Sequence, residues 1–96
     1  MKPSEALPLH RDRIRQLVLE AGMANPRVFG SVVRGEDNEE SVLDILVDPG
    51  SKMSLMDVAG LQIQLEEILC VRVDLLTPGG LHPRFRGKVL AEAAAV

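Results

Sequence analysis

Apolar residues recur along this chain at two spacings, and the switches between them divide it into elements. From about Ser4 to Ala21, the residues Ile14, Leu17, Val18 and Ala21 fall three or four apart, as on one helical face. That predicts an amphipathic helix, with Arg11, Arg13 and Arg15 in solvent and Gly22 at its end. Asn25-Pro26 turns the chain into a first strand holding Val28-Phe29. Leu43–Asp48 is predicted as a second strand. After the Pro49-Gly50-Ser51 loop, Ser54 is placed to cap a helix that buries Val58, Leu61, Leu65, Ile68 and Leu69, with Met53 and Met56 packing near its start. Val71–Leu76 reads as a third strand and Thr77–Gly80 as a turn. Pro83 then opens a helix through Phe85, Val89 and Leu90 into the Ala-rich end.

Side chains alternate along a strand, which sorts the two later strands into faces. Leu43, Ile45 and Val47 face one way, toward the helices, with Val73 and Leu75. Val42, Asp44, Leu46, Asp74 and Leu76 face the other. Neighbouring strands lie about 4.8 Å apart, so Asp44 and Asp74 converge if the strands pair in register. Two carboxylates so placed repel, and one tends to hold its proton unless a cation sits between them. Oxygen ligands of this kind suit Mg²⁺, which keeps several waters and shares the phosphates of a nucleotide. The same face exposes Val42, Leu46 and Leu76, an apolar patch of the kind that marks an interface. A second protein, or a second copy in a homo-oligomer, is expected to cover part of it.

The first strand runs straight into Gly30, which lets backbone approach a ligand closely or adopt conformations that other residues avoid. Ser31 stands where a short helix begins, and Gly35 suits the left-handed stop after one turn. Free N–H groups beside a hydroxyl suit phosphate oxygens. Arg34 either pairs with a phosphate or caps that turn, and these residues alone read more simply as a strand-turn-helix corner that binds nothing.

Composition narrows the classes. The 96 residues fit one domain, 1–96, with a modest core, and the 2% aromatic content makes that core aliphatic. A net charge of −3 argues against general nucleic-acid binding, which needs a basic stripe, and the absence of Trp and Tyr removes the usual stacking platforms. The acidic run Glu36, Asp37, Glu39 and Glu40 reads as a solvated loop. Cys70 is the only cysteine, so no internal disulfide forms, and it reads as a small buried hydrophobe before a strand. His10 and His82 lack partners at metal-ligand spacing and read as structural. Arg84, Arg86 and Lys88 give the last helix a basic face that serves solvation, an acidic partner or a nucleotide. No apolar run approaches a membrane span of roughly 20 residues, and the amino terminus lacks the apolar segment of a secretory signal. A cytoplasmic protein is expected.

Gly30-Ser31, Arg34-Gly35, Ser41, Asp44, Val47 and Val73-Asp74-Leu75, taken in order, resemble the minimal nucleotidyltransferases of the DNA polymerase beta superfamily. The likeness covers most of the chain, including Leu81-His82-Pro83 and the closing helix. It implies an α+β (α/β) fold, a small mixed β-sheet with helices packed on one face. It also implies that Gly30, Ser31 and Arg34 bind the triphosphate of ATP or another NTP, and that Asp44 and Asp74 are catalytic and hold Mg²⁺. The reaction implied is transfer of a nucleotide monophosphate to a hydroxyl. Such proteins are often paired with a HEPN-domain protein in a toxin-antitoxin-like couple, which makes a HEPN-type partner the acceptor to expect.

The pattern breaks at Val42, where the family has the first acid of an Asp-x-Asp pair. Ions about 3.5–4 Å apart in a two-metal site stabilise the attacking and leaving oxygens, and the missing acid would touch both. Glu40 shares a side with Val42 in an extended chain but lies about 6.6 Å back along it. Only a bulge would bring it near. Two readings follow: a nucleotidyltransferase slowed by Val42, or a nucleotide-binding subunit that neutralises its partner by contact.

Overall fold

A computed structural model of the protein describes residues 1–51 and 53–96. Its helices and strands are α1 (Pro3–Leu9), α2 (Arg11–Glu20), β1 (Ala24–Phe29), α3 (Ser31–Arg34), β2 (Leu43–Asp48), α4 (Leu55–Leu69), β3 (Val73–Leu76), α5 (Pro83–Glu92) and β4 (Ala94–Ala95), with a 3₁₀ turn at Pro78–Gly80. The strands form one sheet in the order β3-β2-β1-β4. Both β1 pairings are antiparallel and the β2–β3 pairing is parallel. The sheet is therefore mixed, as the sequence implies. Parallel neighbours need a long crossover, and α4 supplies it.

Ile14, Leu17 and Val18 of α2, and Leu61, Leu65 and Leu69 of α4, pack with Ala6 and Leu7 of α1 against Val28, Leu43, Ile45, Val47, Val73 and Leu75. This puts the helical layer on the face that alternation assigns. Ser54 caps α4 reciprocally: its Oγ accepts from the Asp57 amide at 3.2 Å, and its own amide donates to Asp57 Oδ2 at 2.9 Å. The edge of β3 is closed by α4 itself. Glu66 Oε2 accepts from the Val73 amide at 3.0 Å and Gln62 Oε1 from the Leu75 amide at 3.2 Å, satisfying donors that an open edge strand would offer to another chain.

Several expectations are corrected. The long first helix is two, broken at His10 (φ −126°, ψ 16°) shortly after Pro8, which lacks a backbone N–H and crowds the preceding turn. Asn25 and Pro26 lie inside β1, where the register with β2 shifts between Ala24 and Arg27; a bulge tolerates a proline that a regular ladder would not. The third strand starts at Val73, two residues late.

The Ala-rich end is not helical. Ala93 turns extended (φ −61°, ψ 136°), and Ala94–Ala95 pair with β1 at Val28 and Arg27, so an open strand edge overrides alanine's helix preference. Met53 packs against the core, whereas Met56 is 83% exposed in the first turn of α4. Cys70 is exposed, because it ends α4 in the left-handed conformation (φ 55°, ψ 32°).

The expected apolar patch on the second face is largely absent. Leu46 is fully buried with Phe29 and Leu81, and Leu76, Val89 and Ala93 pack against them. The covering element is α5, with the turn before it fastened by Arg86, whose guanidinium donates to the carbonyls of Pro78 (2.9 Å) and Leu81 (3.1 Å). Leu46 and Leu76 thus have an intramolecular cover, while Val42, just outside β2, stays half-buried.

Candidate functional site

The register of the sheet brings three separate stretches to one end of it. Phe29, the last residue of β1, pairs with Asp44, and Asp44 pairs across the parallel ladder with Asp74. The Gly30-Ser31 corner therefore begins beside the Asp44–Asp74 pair. Asp44 is half-buried and Asp74 exposed. Burial, and then the facing Asp74 carboxylate, push the Asp44 carboxyl up to about 6, against the pull of Arg34.

Gly30 has φ 77° and ψ −150°, a region essentially reserved for glycine. A Cβ there would overlap the Asp44 carboxylate, so the corner and the acid fit together only because residue 30 has no side chain. Ser31 opens α3, and Gly35 closes it in the left-handed conformation (φ 71°, ψ 25°). Both glycines take the conformations that the sequence assigns to them.

Arg34 reaches two acids. Its Nε donates to Glu36 Oε2 at 3.2 Å, and its Nη1 to Glu92 Oε1 and Oε2 at 3.3 and 3.4 Å. Glu92, at the end of α5, also accepts from the Gly30 amide at 2.9 Å. That backbone donor, with Arg34, holds the Glu92 carboxyl below the usual range against the opposing effect of burial. Sequence reasoning missed Glu92, because no local spacing relates it to a corner 62 residues earlier.

Glu40 stays exposed in the loop, its amide donating to Asn38 Oδ1 at 2.8 Å. Asp37 of the same acidic run is instead half-buried, accepting from the Ser4 amide at 2.9 Å. His82 caps α5, its Nδ1 accepting from the Arg84 amide at 3.1 Å. Among the described residues, no three His, Cys, Asp or Glu side chains gather as a metal-binding group, and no helix is long and apolar enough to cross a membrane.

The donors present fit one Mg²⁺ rather than two. The raised Asp44 carboxyl and the facing Asp74 make an acidic pair suited to a cation, and one or two carboxylates suffice when nucleotide phosphates and water complete the shell. Val42 offers no oxygen for a second ion.

Comparison with known proteins identifies the family and the fold. The profile of the nucleotidyltransferase domain matches residues 8–96. A "Putative protein adenylyltransferase" of Methanocaldococcus jannaschii is 39% identical over 84 residues, covering 88% of this chain and 90% of that one. Protein adenylyltransferase MntA of Thermococcus cleftensis is 38% identical over 90 residues, covering 94% and 88%. Among solved structures, one described as a putative minimal nucleotidyltransferase superposes with a TM-score of 0.83 at 42% identity, over 97% of this chain and 93% of that one. A toxin-antitoxin crystal structure with AMP-PNP shares the fold, with a TM-score of 0.75 at 20% identity over 88% and 69% of the two chains.

Proposed function

The chain belongs to the nucleotidyltransferase domain family, and from that premise we propose that it binds Mg²⁺ and an NTP, ATP first, and transfers the nucleotide monophosphate to a hydroxyl acceptor on a protein. The observation that carries this reading is the in-register pair Asp44–Asp74 beside the Gly30-Ser31 corner. The protein-adenylyltransferase names of its relatives support ATP as donor and protein as acceptor. Gly30, Ser31 and Arg34 hold and orient the triphosphate, and Asp44 with Asp74 holds the ion. When bound, Mg²⁺ offsets negative charge on the phosphates.

The acceptor oxygen attacks the α-phosphorus, its proton passes to the Asp74 carboxylate, and the bond to the bridging α,β-oxygen breaks to release pyrophosphate. Positioning and charge neutralisation carry most of such a reaction. Toxin-antitoxin structures share the fold, and the HEPN-type partner that the family resemblance implies is the acceptor to test first. The reading takes residues 1–96 as one domain at work in the cytoplasm.

Val42 supports a second reading, in which the chain retains nucleotide binding but neutralises its partner by contact. Incubation with α-labelled ATP, Mg²⁺ and the partner separates the two. Label on the partner that is lost with Asp74→Asn supports transfer. Neutralisation of the partner without label supports contact.

A further inference from the structure

The Gly30-Ser31 corner already holds an anion. The Glu92 carboxylate accepts from the Gly30 amide at 2.9 Å and from Arg34 Nη1 at 3.3 and 3.4 Å, and its side chain is only 20% exposed. One backbone N–H and one guanidinium converging on a carboxylate are also the donors that a phosphate oxygen takes.

We infer that Glu92 is an internal competitor for the phosphates: it fills the corner when no nucleotide is bound and must give up Arg34 and the Gly30 amide when one enters. This rests on the nucleotide-binding reading above and deepens it. Glu92 ends α5, whose Val89 packs with Ala93 over Phe29 and Leu46, and two residues later Ala94 pairs with Val28. The exchange therefore takes place where α5 passes into β4.

The test is Glu92→Gln, which keeps an acceptor for the Gly30 amide while removing the charge. Affinities for ATP, pyrophosphate and adenosine are measured by calorimetry, beside thermal melts that verify the fold. The inference expects ATP and pyrophosphate to bind on the order of tenfold more tightly to the variant, within the usual range of coupling between sites. Adenosine, without phosphate, should bind both proteins alike.

Equal or weaker ATP binding by a folded Glu92→Gln overturns the competitor role while leaving nucleotide binding intact. A gain shared equally by adenosine also overturns it, since the effect would not be a contest for phosphate. Absence of ATP and pyrophosphate binding in both proteins overturns the inference and the nucleotide-binding reading together. Glu92→Ala, which removes the acceptor as well as the charge, should show the same phosphate-dependent gain, and a folded Glu92→Ala without that gain also overturns the inference.

Discussion

Asp44 faces Asp74 across the parallel β2–β3 ladder, each one residue in from the start of its strand. Thirty positions of sequence separate them, α4 supplies the crossover between their strands, and the register sets two carboxylates side by side. Such an arrangement is poor for stability and suited to binding a positive ion, the usual trade at a functional site.

The first prediction follows from the Asp44 carboxyl, raised to about 6 from an ordinary 3.8 by burial and by Asp74. A raised folded-state pKa contributes stability that is full below the unfolded value and lost as pH climbs through the folded one. In metal-free protein, stability should therefore fall between about pH 4 and pH 6. Because the side chain is half exposed, solvent screening reduces the loss to about 1 kcal/mol. Asp44→Asn should melt about 4–8 °C above the parent at pH 7 and close to it at pH 4. Melts showing the same gap at both pH values would assign the effect to packing instead.

Gly30→Ala is expected to cost about 1–3 kcal/mol, the usual strain of a side chain in a glycine-only region, because the new methyl also meets the Asp44 carboxylate. Denaturant midpoints measure the loss. ATP affinity should fall with it, since the acid and the corner cannot both keep their positions. An unchanged midpoint would mean that the two are not interlocked as described.

Much of this was legible in the sequence, and the exceptions have physical reasons. Leu43–Asp48 was read to the residue, because alternation around a buried core leaves one register. Gly30, Ser31 and Gly35 were readable because local backbone chemistry dictates them. The strand at Ala94–Ala95 and the cover over Leu46 were not, since both depend on where distant segments land. Cys70 was misplaced for a related reason: hydrophobicity suggested burial, whereas its position after the last helical turn decided the outcome. Glu92 carried no local signal at all.

Cys70 yields the next prediction. A non-glycine residue in the left-handed region bears a penalty of roughly 1–2 kcal/mol, partly offset by the greater freedom of glycine in the unfolded chain. Cys70→Gly should therefore stabilise the protein by about 0.5–1 kcal/mol. In the native parent, the exposed thiol should react with a thiol reagent without prior unfolding. A protected thiol together with no gain from glycine would contradict the placement of this residue.

The central claim is that this sheet end takes a nucleotide together with Mg²⁺, and that Val42 limits how well. Calorimetric titration of ATP with and without Mg²⁺, into the parent and into Val42→Asp, tests it most directly. The account predicts Mg²⁺-dependent binding in the parent and binding at least about tenfold tighter in Val42→Asp, the lower end of what a supporting ligand contributes. ATP binding that ignores Mg²⁺ in both proteins, or no binding in either, would contradict it.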